Sequence, residues 1–195
     1  MFFTKKSFSK FPWKLLIFES LLVILSVLLA LALNSWREAQ AHQELAERAL
    51  QEVVDEVEAN CLRIISFQSY HEAVAAGDEK PSGIQVGYLR NDAWEIAKTT
   101  QASSYLDYEI LSLIGEINAN QSDHRAIVQA YIEALFIRSL RIETVEELHQ
   151  EGERAVIREL YRIQSKLLTN YQRLQQTINK HHRDSVITDN ICLKK

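Results

Sequence analysis

The sequence predicts an all-α protein, with an N-terminal transmembrane helix continuing into a long stalk helix that packs with three or four further helices in a bundle. Three observations predict it. Residues 15–33 form an apolar run interrupted only by Glu19, Ser20 and Ser26. Between Pro12 and Gly77 there is neither a glycine nor a proline, so nothing punctuates a helix over that stretch. Beyond it, apolar residues recur at spacings of three and four, without a useful length of strand-like alternation.

The span comes first. At 1.5 Å per residue the run is roughly 28 Å long, close to the ~30 Å hydrocarbon core of a bilayer. Trp13 and Trp36 bracket it at the positions of the two headgroup layers, with Lys14 and Arg37 beside them as interface residues. A transmembrane helix over 15–36 follows, behind a basic N-terminus of residues 1–14. Lys5, Lys6, Lys10 and Lys14 precede the span with no acid among them, and Arg37 is the only nearby basic residue beyond it. That asymmetry predicts a cytoplasmic N-terminus and a periplasmic C-terminal domain at the bacterial inner membrane. The chain holds 22 Lys and Arg against 26 Asp and Glu, and the exported part is net acidic. That balance gives no electrostatic reason to expect nucleic acid as a partner. Ala30-Leu31-Ala32 and Ala39-Gln40-Ala41 satisfy the small-residue rule of signal cleavage, but the apolar run exceeds an ordinary signal peptide, so an uncleaved anchor is expected.

Within the span, Glu19, Val23, Ser26, Ala30 and Asn34 share an arc of about 80° on a helix at 100° per residue. The stripe is smaller and more polar than its surroundings, as membrane helices are where they pack against one another. It is the candidate helix–helix face. Glu19 alone has a plainer reading, reaching back to the headgroups or to Lys14.

The extracytoplasmic helical domain spans 37–185. Residues 34–76 are rich in good helix formers, with an apolar stripe of Leu50, Val53, Val57, Cys61, Ile64, Phe67, His71 and Val74. Residues 77–91 are the clear loop, with room for a short extended piece at 84–89. Asp92 with Glu95 has the capping-box spacing for a short helix through Lys98, and Ser104 with Asp107 repeats it. Ser122 or Asp123 is a cap for a helix over 124–149 carrying Val128, Ile132, Leu135, Ile142 and Val145. Gly152 punctuates. A last helix over 153–182 places Val156, Leu160, Ile163, Leu167, Tyr171, Leu174 and Ile178 in near-heptad spacing. A tail of 186–195 follows.

The segments "LLALALNSWREAQAHQELAERALQEVVDEVEAN" and "AWEIAKTTQASSYLDYEILSLI" resemble an uncharacterised family of bacterial single-span membrane proteins. The shared features are a turn at Asn34, Trp36, Arg37 and Glu38, where the span runs into a charged helix, and a later Trp94, Glu95, Lys98 segment before a helix. The resemblance implies a bacterial envelope setting and this architecture; it implies no catalytic residue.

Chemistry is sparse in the sequence. Glu146 and His149 are one half of a di-iron bundle motif, which needs a second such pair that the chain lacks. His181-His182 suits a helix C-terminus without a metal. No metalloprotease, nucleophile-elbow or phosphate-loop motif occurs. No cofactor, metal or catalytic residue is therefore expected. Cys61 and Cys192 can pair in an oxidising compartment, although Cys61 also fits the apolar stripe as a small hydrophobe. Trp94, Tyr105, Tyr108, Tyr131, Phe136, Tyr161 and Tyr171 are expected in the core. The functional expectation is a non-enzymatic, membrane-anchored helical interaction or scaffold protein, meeting the lipid bilayer and other membrane proteins or itself through span and stalk. The alternative is a periplasmic ligand-sensing domain that signals through a separate membrane partner. A buried polar pocket would favour the second; a dry core with an apolar outer patch would favour the first.

Overall fold

The computed structural model describes residues 13–139, 146–181 and 192. They form four α-helices: α1 (Trp13–Ala76), α2 (Asp92–Thr99), α3 (Tyr108–Ser139) and α4 (Glu146–His181), with a short 3-10 turn at Ala102–Tyr105 between α2 and α3. No strand occurs among the described residues, so the all-α expectation holds. The chain divides into two compact units, Met1–Glu44 and Leu45–Lys195.

In the first unit every described side chain is exposed. The apolar part of α1 meets the length and composition of a membrane-crossing helix, with none of its most apolar window buried within the protein. Its hydroxyls are satisfied within the helix: Ser20 Oγ donates to Leu16 O and Ser26 Oγ to Leu22 O, both at 2.8 Å. Such back-bonding lets serine sit in an apolar helix without an orphaned donor.

The second unit is a helical bundle. Residue pairs trace its directions. From α3 to α4, Tyr131 meets Glu153, His124 meets Gln164, Gln121 meets Tyr171, and Glu109 meets Lys180; the two helices are antiparallel. On α1, His71 meets Gln164 and Asn60 meets Tyr171, so α1 is antiparallel to α4 as well. Helices α1 and α3 therefore run the same way, which requires the chain between them to return along α1.

Residues 77–91 make that return. Gly77, at φ 91°, ends α1 in a Schellman arrangement, with its N–H on Val74 O and the Asp78 N–H on Ala73 O. The segment then runs down α1 as a strap. Tyr70 Oη donates to Gly83 O at 2.7 Å and accepts from the Ser82 N–H. Gly87 lies against Phe67 and Arg63, where a Cβ would make ordinary contact at 3.4 Å from the Phe67 ring. Asn60 then brackets Arg90 like a neighbouring strand, giving Nδ2 to its carbonyl at 2.7 Å and taking its N–H at 2.9 Å. The extended piece expected at 84–89 pairs with no strand; helix α1 holds the residues on either side of it, Ser82, Gly83 and Arg90, through the Tyr70 and Asn60 side chains.

Several helix boundaries differ from expectation. The Asp92–Glu95 capping box does not form. Asn91 occupies the N-cap position without a side-chain cap bond, and Glu56 of α1 instead accepts the Ala93 N–H at 3.0 Å. Asp92 pairs with Arg90, and Glu95 with Lys98. Ser104 lies in the 3-10 turn, and Asp107 alone caps α3, taking the Glu109 N–H at 2.8 Å. Ser122 and Asp123 are exposed in the middle of α3. The buried stripe Ile110, Ile114, Ile117, Gln121, His124, Val128 keeps helical spacing through them, and packing overrides the local cap signal. Gly152 is exposed inside α4, where a helical glycine costs about 1 kcal/mol and the stripe Glu153, Ile157, Leu160 continues past it.

The core joins Leu50, Val53, Val57 and Ile64 of α1 with Trp94 of α2, Ile110 and Ile114 of α3, and Leu167, Tyr171 and Leu174 of α4. Of the expected stripes, Phe67 and Val156 are only half-buried. Ile132 and Leu135 are exposed at 46% and 39%, while Ile142 and Val145 lie outside the described residues. The aromatic expectation is corrected too. Trp94 and Tyr171 are core, but Tyr105, Tyr108 and Phe136 are exposed, and Tyr131 and Tyr161 are half-buried. Their helical spacing is compatible with either face; only those on the stripe shared with α1 are enclosed.

Candidate functional site

Trp13 and Trp36 are exposed at 69% and 63%, as are Lys14 and Arg37. Glu19, Val23, Ser26, Ala30 and Asn34 are all exposed on α1. Asn34 Nδ2 donates to Glu38 Oε1 at 2.8 Å, and Ser26 is bonded to its own helix, so both polar groups of the stripe's far end are already paired within α1. Glu19 makes no hydrogen bond or ion pair among the described residues; its pairing with Lys14 does not form.

Cys61 and Cys192 are joined in a disulfide, with Cα atoms 6.0 Å apart. Cys61 is also fully buried in the core stripe, and Cys192 packs against the core. Both readings of Cys61 thus hold together. Among the described residues no group of three or more His, Cys, Asp or Glu is arranged to hold a metal ion. The side chains of Glu146, His149, His181 and His182 lie outside the described residues.

The bundle interior is more polar than the apolar stripes suggest. His71, His124 and Gln164 are buried at 0%, 2% and 2% exposure, and they form one chain across three helices. His71 Nδ1 lies 2.8 Å from Gln164 Oε1, and Gln164 Nε2 lies 3.2 Å from His124 Nε2. The amide has one accepting and one donating end. In this orientation His71 donates from Nδ1, and His124 accepts at a bare Nε2. His71 Nε2 is buried without a hydrogen-bond partner. Burial disfavours the charged imidazoles. It pushes His124 down to about 4, with the neighbouring His71 adding to the effect. It also lowers His71, against the opposing pull of Gln164 and the Gln85 backbone.

About two helical turns along α4 lies a second polar cluster. Gln121 Nε2 donates to the Tyr171 hydroxyl at 3.0 Å, the Asn60 side chain lies beside the same hydroxyl, and burial pushes that hydroxyl up to about 12. Asn60 carries the cluster on to the strap through Arg90. At the surface, α1 and α2 flank a groove of about 470 Å³ bordered by Glu52, Asp55, Glu56, Arg90, Asp92 and Ile96. The Glu56 pKa is raised by its burial there, partly offset by the Ala93 N–H that it accepts and the adjacent Asp92 backbone. This carboxylate has a structural task in holding α2 against α1.

Sequence reasoning missed His124, Gln164, Gln121 and Asn60. The available signal was polarity at stripe positions. Gln164 is three residues from Leu167 and four from Leu160, and Gln121 is four from Ile117, so both fall on the enclosed face. Of the Trp94, Glu95, Lys98 segment, Trp94 is buried in the core while Glu95 and Lys98 are exposed on α2, with Lys98 Nζ 5.8 Å from the Trp94 ring centre. Comparison with protein-family models, curated proteins and solved structures gave no match.

Proposed function

We propose that the chain is a non-enzymatic, membrane-anchored helical interaction protein of the bacterial envelope, with its N-terminus in the cytoplasm and its bundle in the periplasm. The observation that carries the reading is the split within one helix. Residues 16–44 of α1 are exposed on every face, whereas from Ala46 onward the same helix buries a stripe. An apolar helix exposed all round needs a non-aqueous environment or a partner. The four N-terminal lysines support the orientation. The Cys61–Cys192 disulfide supports an oxidising compartment for the bundle. Action through protein contacts rests on that exposed apolar length of α1, since the buried polar side chains are paired with one another across helices and by themselves bear on the alternative. The sensing alternative draws on the same buried polarity, which would supply ligand contacts if the bundle opened.

Cross-linking of the full-length protein in native membranes tests the interaction reading. Ala30→Ile should lower the cross-linked yield severalfold by blocking close helix approach, whereas Leu29→Ile should leave it unchanged. Equal yields for the two variants would remove the Glu19–Asn34 stripe as a contact face.

A further inference from the structure

We propose that His71, Gln164 and His124 form an acid-sensitive latch, which ties α1, α4 and α3 together while at most one imidazole is charged and opens locally when both are. The inference stands on the bundle's interior and does not require the membrane placement proposed above.

Proton counting across the chain gives the rule. Gln164 presents one oxygen and one NH2 group to two imidazoles. Whichever way its amide is turned, the ring facing the NH2 must offer a bare nitrogen. With both rings neutral the requirement is met: His71 carries its proton on Nδ1, and His124 is bare at Nε2. A first added proton has a place on His71 Nε2, which has no partner, on a ring that lies near the Gln85 backbone of the strap. A second must enter at His124 Nε2, where the amide hydrogens of Gln164 already point. Donor then faces donor, beside a second buried charge. The contact breaks, and the two imidazoliums gain solvation only if water reaches them.

No compensating carboxylate faces the pair among the described residues. On α1 the neighbouring ionisable groups are Tyr70, whose ring centre is 5.6 Å from that of His71 and whose hydroxyl is held by the strap, and the exposed Glu72. On α3 they are the exposed Asp123 and Arg125, the latter bonded to Asn91. On α4 they are the half-buried Tyr161, the exposed Lys166, and Arg162, which is paired with Glu159. The strap meets the pair through the Gln85 backbone. Among the described residues, the neighbouring charge that acts on His124 is that of His71. Opening is therefore local, freeing the α3 segment around His124 and the strap over His71, while Gln121–Tyr171 and the Glu116 pairs with Lys166 and Arg173 keep the rest of α3 on α4.

Hydrogen exchange of the full-length protein in detergent micelles, corrected for the intrinsic pH dependence of amide exchange, tests the latch. Between pH 7.5 and 4, protection of residues 122–130 and 83–88 should fall at least tenfold, with that of residues 50–57 changing less than threefold. His124→Gln keeps an acceptor for Gln164 without a titrating group, and should hold protection constant within about twofold. Gln164→Glu gives both rings an acceptor and should likewise abolish the acid loss. Nitrogen-15 spectra of the wild-type imidazoles provide a readout that needs no variant: one ring should titrate before the other, and the second only together with the loss of protection. Unchanged protection down to pH 4, an equal acid loss in both variants, or two independent titrations near pH 6.5 with α3 still protected would each overturn the proposal.

Discussion

Replacing Tyr171 by phenylalanine isolates the energetic role of the buried polar side chains. Tyr171 is fully enclosed, and phenylalanine fills the same ring volume, so no cavity cost enters. What is lost is the acceptor for Gln121 Nε2, 3.0 Å away on a side chain only 3% exposed. A buried donor left without a partner costs about 1–3 kcal/mol. For a bundle of this size each kcal/mol lowers the midpoint by about 2–4 °C, so the melting temperature should fall by several degrees. Gln121→Met removes the other partner at similar length and should cost a comparable amount, since the enclosed Tyr171 hydroxyl then loses its hydrogen bond. The double substitution removes both polar groups. It should recover most of the loss, because replacing both members of a buried pair by apolar groups is close to neutral. Asn60 stays anchored by its two bonds to Arg90 throughout. The assay is thermal unfolding of the full-length protein in micelles, followed by far-ultraviolet circular dichroism. Single substitutions without effect, or a double variant as unstable as the sum of the two, would refute the reasoning.

Acid should destabilise the bundle, with a sign fixed by His124. Its folded pKa is pushed down from 6.5 to about 4, so between those values the unfolded chain binds the proton first, and stability falls as pH falls. At about 1.4 kcal/mol per unit the loss is about 3 kcal/mol, absent above pH 6.5 and complete near pH 4; the difference between wild type and His124→Gln in denaturation curves measures it. Glu56→Ala should release the start of α2, at about 1 kcal/mol for a lost cap. Amide exchange over residues 92–99 should then rise while that of α4 is unchanged, and protection equal to wild type would leave Glu56 without a capping role.

The long-range pattern was legible in the sequence where one signal dominated. The apolar run of 15–33 and the absence of breakers before Gly77 specify α1, and the heptad-like stripe from Leu160 to Ile178 specifies α4. Helix ends were read less well, because cap residues act only where packing allows a helix to stop. Ser122 and Asp123 have cap chemistry but sit where the stripe of α3 continues, and Glu56 caps α2 from 37 residues away in sequence. The path of residues 77–91 was illegible for a related reason. Its glycines and proline report the loss of helix, but not that Tyr70 and Asn60 draw the segment back along α1. The histidine pair was hidden most completely. His71 was visible as a polar residue on an apolar stripe, but its partners come from α3 and α4, and nothing local marks Gln164 as the residue between them.

The membrane-anchored reading is tested most directly by a pair of reporters fused after Lys195, one active only outside the cytoplasm and one fluorescent only inside it, expressed from the full-length chain in bacteria. The expected result is activity from the extracytoplasmic reporter alone, in the membrane fraction, on a protein whose N-terminus is still at or near Met1. Signal from the cytoplasmic reporter alone would contradict the orientation, and a soluble product beginning at Leu33 or His42 would contradict the anchor.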